Sequence, residues 1–209
     1  MPDPITACLS VLSLTVSAIT AWLTLFRGGT VKMTQPTVVF LGPDSGGDRA
    51  KIYLRTLLYA TSKRGRIIEG MYAKVRSGES TQNFNVWVYG ERDLARGSGL
   101  FVGESGVTYN HHFLLPKNAT FTFSHTEYVI EVYANLVGSH GPHLLHRLTL
   151  AMPPEHAVQM RDSMAGVFFD WGPDSDRYHP HVKPRPGTDV NLIADELARR
   201  MGFPPEPEP

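Results

Sequence analysis

Glu127-Tyr128-Val129-Ile130-Glu131-Val132-Tyr133-Ala134-Asn135 decides how this chain folds. Tyr128, Ile130, Val132 and Ala134 alternate with Glu127, Glu131, Tyr133 and Asn135. Successive side chains of a β-strand point to opposite faces, so a period of two marks a strand with one face in a core and one in water. A helix would instead space its apolar residues three and four apart.

The same pattern repeats on both sides of this stretch. Upstream lie Thr37 to Leu41, Ile52 to Ala60, Ile67 to Arg76, Asn83 to Tyr89, Leu100 to Val102, Val107 to Leu115 and Phe121 to Phe123; downstream lies Leu144 to Ala151. Ser62-Lys63-Arg64-Gly65, Ser77-Gly78-Glu79-Ser80 and Gly103-Glu104-Ser105-Gly106 separate several of them with turn-forming residues. Within these runs Ile52, Leu54, Leu58 and Ala60 share a face, and Ile67, Met71, Ala73 and Val75 align. In the run from Asn83, Phe84, Val86 and Val88 alternate with Asn85, Trp87 and Tyr89. About seven or eight short strands at this spacing predict a mainly β fold, an antiparallel β-sandwich of immunoglobulin-like architecture. The Cys…Trp…Cys pattern of true immunoglobulin domains is absent, so the likeness is to an architecture and not to a family.

Beyond Pro153-Pro154, Glu155 to Asp162 suits one or two helical turns, and Val167 to Trp171 suits an edge strand. Asp189 caps an expected short C-terminal helix running to Met201, with Leu192, Ile193, Leu197 and Met201 on one side and Gly202 as its stop. The organisation expected is an N-terminal transmembrane anchor over 1–27, a linker over 28–36, the sandwich over 37–172, an extension with the short helix over 173–203 and a proline-rich disordered tail over 204–209.

The anchor is read from Ile5 to Phe26, which contains no Asp, Glu, Lys, Arg or His. About 20 apolar residues span the hydrocarbon of a bilayer. A soluble helix would carry a charged face, and this one has none. A cleaved signal peptide needs a basic start, and Met1-Pro2-Asp3-Pro4 offers no Lys or Arg. Arg27, Lys32, Arg49, Lys51 and Arg55 follow the span, so the positive-inside rule puts the large domain in the cytoplasm. The single cysteine, Cys8, lies within the span, which leaves the domain without a disulfide and fits a reducing compartment. Thr6, Ser10, Ser13, Ser17, Thr20 and Thr24 recur at alternating intervals of four and three. At about 100° per residue they fall within an arc of roughly 80°. Small hydroxyl residues let helix backbones approach closely, so the stripe is an expected helix–helix contact with a second copy or a partner.

The 209 residues carry 20 basic and 20 acidic side chains, a balance that argues against a nucleic-acid binder. No Walker loop, dinucleotide fingerprint or nucleophile elbow is present. The best polar constellation is Asp174, Asp176, His179 and His181. Two carboxylates two apart and two imidazoles two apart are ligand types for zinc or manganese, which makes a metal-dependent hydrolase the alternative function. The principal expectation is a non-enzymatic, membrane-anchored interaction module without a cofactor, an accessory subunit of a membrane complex. Its partners would be the lipid bilayer and a protein met through the span or through exposed loops at Ser77 to Ser80, Arg92 to Gly99 and Gly103 to Gly106.

Overall fold

The computed structural model describes residues 3–26, 28–44, 49–91, 95–124, 126–163 and 165–183. Asp3 caps the first helix by accepting the Ile5 amide at 3.2 Å, and Pro4 opens it without an amide to satisfy. This helix, α1 (Pro4–Ala21), has no buried residue and passes into a π-helical segment, Trp22–Phe26.

The strands follow. They are β1 (Val31–Met33), β2 (Val38–Pro43), β3 (Ala50–Ala60), β4 (Arg66–Ser77), β5 (Ser80–Phe84), β6 (Val86–Gly90), β7 (Ala95–Arg96), β8 (Leu100–Val102), β9 (Val107–Leu114), β10 (Glu127–Leu136) and β11 (Pro142–Ala151). Helix α2 (Pro154–Ser163) then leads to β12 (Gly166–Gly172) and β13 (Arg177–Lys183). One sheet runs β13-β12-β2-β3-β9-β6-β7, with β1 also on β3; the other runs β11-β10-β4-β5, with β8 also on β4. Every strand pair among the described residues is antiparallel.

The inward faces of both sheets enter one hydrophobic cluster. Ile52, Leu54, Leu58 and Ala60 of β3 lie in it, as do Tyr128, Ile130, Val132 and Ala134 of β10. Burying one such Leu or Ile contributes roughly 1.5–3 kcal/mol. The fold is thus mainly β, with two antiparallel sheets, an apolar N-terminal helix and a short helix late in the chain. That late helix, α2, is the turn expected from Glu155; the helix expected from Asp189 to Met201 and the tail over 204–209 lie outside the described residues.

Four local expectations need correction. In β4 the buried residue is Ile68, and Ile67 is 46 % exposed. The cause is a β-bulge: Asn135 pairs with Gly70 but Leu136 with Ile68, so Glu69 is an extra residue and the inward phase flips. The run from Asn83 to Tyr89 is two strands, because the chain crosses from one sheet to the other at Asn85. Phe84 points into the core from β5 and Trp87 from β6, while Val86 and Val88 are only half-buried. Phe121 to Phe123 forms no strand; its rings pack with Phe84 and Tyr128 instead. Finally, β12 is interior to its sheet, because β13 pairs along its outer side. Residues 31–33 and 177–183, on either side of the expected sandwich bounds, therefore also belong to the sheets.

Candidate functional site

The expected metal ligands fall on the β12–β13 hairpin. Asp174 and Asp176 sit in its turn, where the Ser175 amide bonds the Gly172 carbonyl at 3.2 Å and Asp176 takes a φ of 51°. Aspartate tolerates that left-handed conformation better than most residues. His179 and His181 lie two apart on β13 but find different partners. His179 Nε2 is 2.9 Å from Ser175 Oγ. His181 Nδ1 is 3.3 Å from Asp170 Oδ2, and its ring stacks on Phe168 with centroids 5.6 Å apart. Among the described residues no three His, Cys, Asp or Glu side chains gather closely enough to hold a metal ion. What the hairpin does hold together is an exposed Ser175–His179 pair and a His181–Asp170 pair.

Two further histidines are built into the first sheet. His111 is fully buried on β9, and its Nδ1 lies 3.2 Å from Trp87 Nε1. An indole nitrogen only donates, so His111 Nδ1 accepts and the imidazole is neutral there. Burial, reinforced by neighbouring His112, lowers its pKa to about 4. His112 is also lowered to about 4, by burial first and then by the Lys51 charge. These are structural histidines whose protonation opposes the fold.

The outer face of the second sheet carries the most developed polar constellation. Neighbours across β4, β10 and β11 form rows on it. Tyr72 pairs with Tyr133, and Lys74 pairs with Glu131, which pairs in turn with Arg147. Although Glu131 is on the solvent side of β10, it is only 3 % exposed. Arg76 donates to its Oε1 at 2.7 Å, Arg147 donates to the same oxygen through Nε at 2.8 Å and through its terminal nitrogen, and the Tyr133 hydroxyl donates to Oε2 at 3.1 Å. Burial alone would raise the Glu131 pKa. The hydrogen bonds from Arg147 and Tyr133 and the charges of Arg76 and Arg147 outweigh it and hold the carboxyl below its ordinary value. Burial and the Glu131 carboxylate together push the Tyr133 hydroxyl upward. Tyr133 stacks on Tyr72 at 5.1 Å, and the Lys74 ammonium sits 5.2 Å from its ring centre. The result is a stacked tyrosine pair beside cations gathered around one carboxylate, and both guanidiniums remain substantially exposed. The sequence pattern marked Glu131 and Tyr133 as outward-facing but could not align them with Arg76 and Arg147, which lie on other strands.

The end of the domain that follows α1 is the second notable surface. The Thr30 amide donates to Thr61 Oγ1, and the Thr61 amide donates to the Thr30 carbonyl, each at 2.9 Å. These bonds tie the segment that follows α1 to the Ser62–Gly65 turn. Beside it lies an open groove of about 290 Å³ lined by Gly28, Arg64, Gly65, Arg66, Ile67, Phe101 and Val137.

Along α1, Ser10, Thr20 and Thr24 donate to the Thr6, Val16 and Thr20 carbonyls of their own helix. Among the expected contact loops, Ser77 to Ser80 is a tight β4–β5 turn, and Gly103 accepts the Ala60 amide at 2.9 Å. Residues 92–94 of the third loop lie outside the described set. Comparison of the chain with protein-family models, curated proteins and solved structures finds no match.

Proposed function

We propose that this chain is a single-pass, membrane-anchored sandwich of immunoglobulin-like type that works as a binding module rather than an enzyme, as an accessory subunit of a membrane complex. One observation carries the reading: the apolar helix over Pro4–Thr24 is 21 residues long and none of it is buried against the domain. Leu14 is 72 % exposed, Ile5 67 % and Val11 66 %. Water is a poor solvent for that surface on every side of a helix, and hydrocarbon suits it. Lys32, Arg49, Lys51 and Arg55 beyond the span favour a cytoplasmic domain.

The outer face of the second sheet supports a binding role. Arg76, Arg147 and Lys74 gather around Glu131 there, with Glu127 exposed further along β10, and tyrosine with arginine is the composition of interface hot spots. The partner class that fits is a protein segment bearing carboxylates. The test is flotation of the full-length chain with sealed vesicles after an alkaline carbonate wash. Retention of the intact chain supports the anchor, and release of a free protein, whole or trimmed, overturns it.

A further inference from the structure

The groove beside Gly28 has two chemical halves. Its apolar half is a row on the outer face of the second sheet. Ile67 pairs directly with Phe101 across β4 and β8, and the Val137 amide bonds the Ile67 carbonyl at 3.0 Å. These side chains remain 46 %, 60 % and 46 % exposed. Backbone pairing fixes these three positions beside one another. Gly65 has a φ of 68°, and a Cβ there would come within 2.5 Å of the Phe101 ring, so the ring lies directly on the turn. The basic half is Arg64 and Arg66, with Lys63 next to them in the turn just outside the lining. Lys63 and Arg64 are exposed at the turn tip, and Arg66 is braced by Ser139 Oγ at 2.7 Å. Glu69 and Glu104 are the exposed acids nearest in sequence to these residues, and neither lines the groove.

Position names the occupant. Gly28 lines the groove and lies two residues beyond Phe26, the last residue of the helical span. Two residues reach at most about 7 Å. The headgroup zone adds roughly 5–7 Å to each side of the hydrocarbon. A span lodged in lipid therefore holds this groove at headgroup depth. An exposed aromatic and aliphatic row beside clustered cations is the composition that settles into an anionic interface.

We propose that Ile67, Phe101 and Val137 with Lys63, Arg64 and Arg66 form a seat for anionic lipid, which holds the sandwich against the bilayer in one orientation. This rests on the anchored reading above and adds to it: the anchor alone would set the depth of the domain but not which of its faces meets the bilayer. The test uses the full-length chain with Cys8→Ser, spin-labelled at Ser105→Cys beside the seat or at Glu79→Cys in the β4–β5 turn, at the opposite end of β4. Vesicles are phosphatidylcholine with or without phosphatidylserine. The expected result is a Ser105 label shielded from an aqueous relaxation agent only with phosphatidylserine, and a Glu79 label open to water throughout. Replacing Lys63→Ala and Arg64→Ala reduces the seated-to-lifted ratio by roughly fivefold per cation, and Phe101→Ser reduces it independently of charge. A Ser105 label as accessible as Glu79 on carbonate-resistant vesicles overturns the seat and leaves the anchor standing. Shielding that ignores lipid charge and follows protein density overturns it in favour of a second copy. Loss of the protein from the vesicles removes both readings together.

Discussion

Removing the Glu131 carboxylate would leave Arg76 and Arg147 facing each other across β10 with no anion between them. Because Glu131 is buried, deleting it costs more than deleting either partner. Both guanidiniums are substantially exposed, so water limits the loss. Glu131→Ala is expected to lower stability by about 1–3 kcal/mol in urea unfolding, and Arg147→Ala by less than about 1 kcal/mol because Arg76 still pairs. The carboxyl is held below its ordinary pKa, so its contribution is present above the unfolded carboxylate range and is lost as pH falls through the folded value. Glu131→Gln should therefore shrink the acid-limb decline. His111 acts the other way in charge but in the same direction in pH. Its folded pKa is about 4 against an ordinary 6.5, so the unfolded chain takes up a proton that the folded chain refuses. Stability is intact above the unfolded value and declines as pH drops between the two. The expected loss from His111 is about 2 kcal/mol by about pH 5, and His111→Gln flattens that slope while lowering stability at neutral pH. Urea titrations across that range read both effects.

The elements show which structural features a single strand's pattern can reveal. The inward face of β10 was legible because alternation reports exposure residue by residue, and Tyr128, Ile130, Val132 and Ala134 are all buried. The β4 face was legible only down to Met71. The Glu69 bulge depends on how β10 lies alongside β4, and a strand's own residues do not encode its neighbour. The Asn85 crossing was hidden for the same reason, since an unbroken run of β-formers gives no sign that its halves belong to different sheets. The outer-face constellation required the register of β4, β10 and β11 together. The β2–β12 contact depends on close backbone approach, again invisible in one strand. A Cβ at Gly166 would come within 1.8 Å of the Phe40 ring, and one at Gly42 within 2.8 Å of the Gly166 backbone. Phe40 thus covers two glycines, and the Phe168 ring lies tilted beside it with centroids 4.8 Å apart. Gly166→Val must displace that ring, at an expected cost of about 1–3 kcal/mol. Amide exchange of β12 and β13 should quicken more than that of β10. Edge strand β13 carries Pro180 opposite Phe169 and charged or imidazole side chains (Arg177, His179, His181 and Lys183) on its exposed face, features that discourage a further strand from adding there.

At the scale of the whole molecule, the hydroxyl stripe of α1 bears on how the proposed spans would meet one another. Ser10, Thr20 and Thr24 already donate to carbonyls of their own helix at 2.9, 2.8 and 2.7 Å. Thr15, off the stripe, does the same to Val11 at 2.8 Å. Such back-bonding occupies the only hydroxyl proton, so these residues bring no spare donor to a neighbouring helix. If the stripe pairs spans, Ser10, Thr20 and Thr24 therefore serve it through small size and close packing, and Ser13 and Ser17 at its centre decide whether hydroxyl donors add to that. The two mechanisms predict different mutants. Under hydrogen-bond pairing, Ser13→Ala with Ser17→Ala would weaken association. Under close packing, those alanines are tolerated and Ser13→Leu with Ser17→Leu breaks the contact, because bulk separates the backbones. We expect the second pattern in an energy-transfer assay between labelled copies in vesicles: alanine variants near the native signal, and leucine variants weaker by about 1–2 kcal/mol of association. Leucine variants that associate as the native chain does would leave the stripe facing lipid. Alanine variants that fail would restore the hydrogen-bonded alternative. Since a paired span would bring two sandwiches to the same patch of bilayer, the leucine variants should also halve the number of domains per assembly without changing the depth of each one.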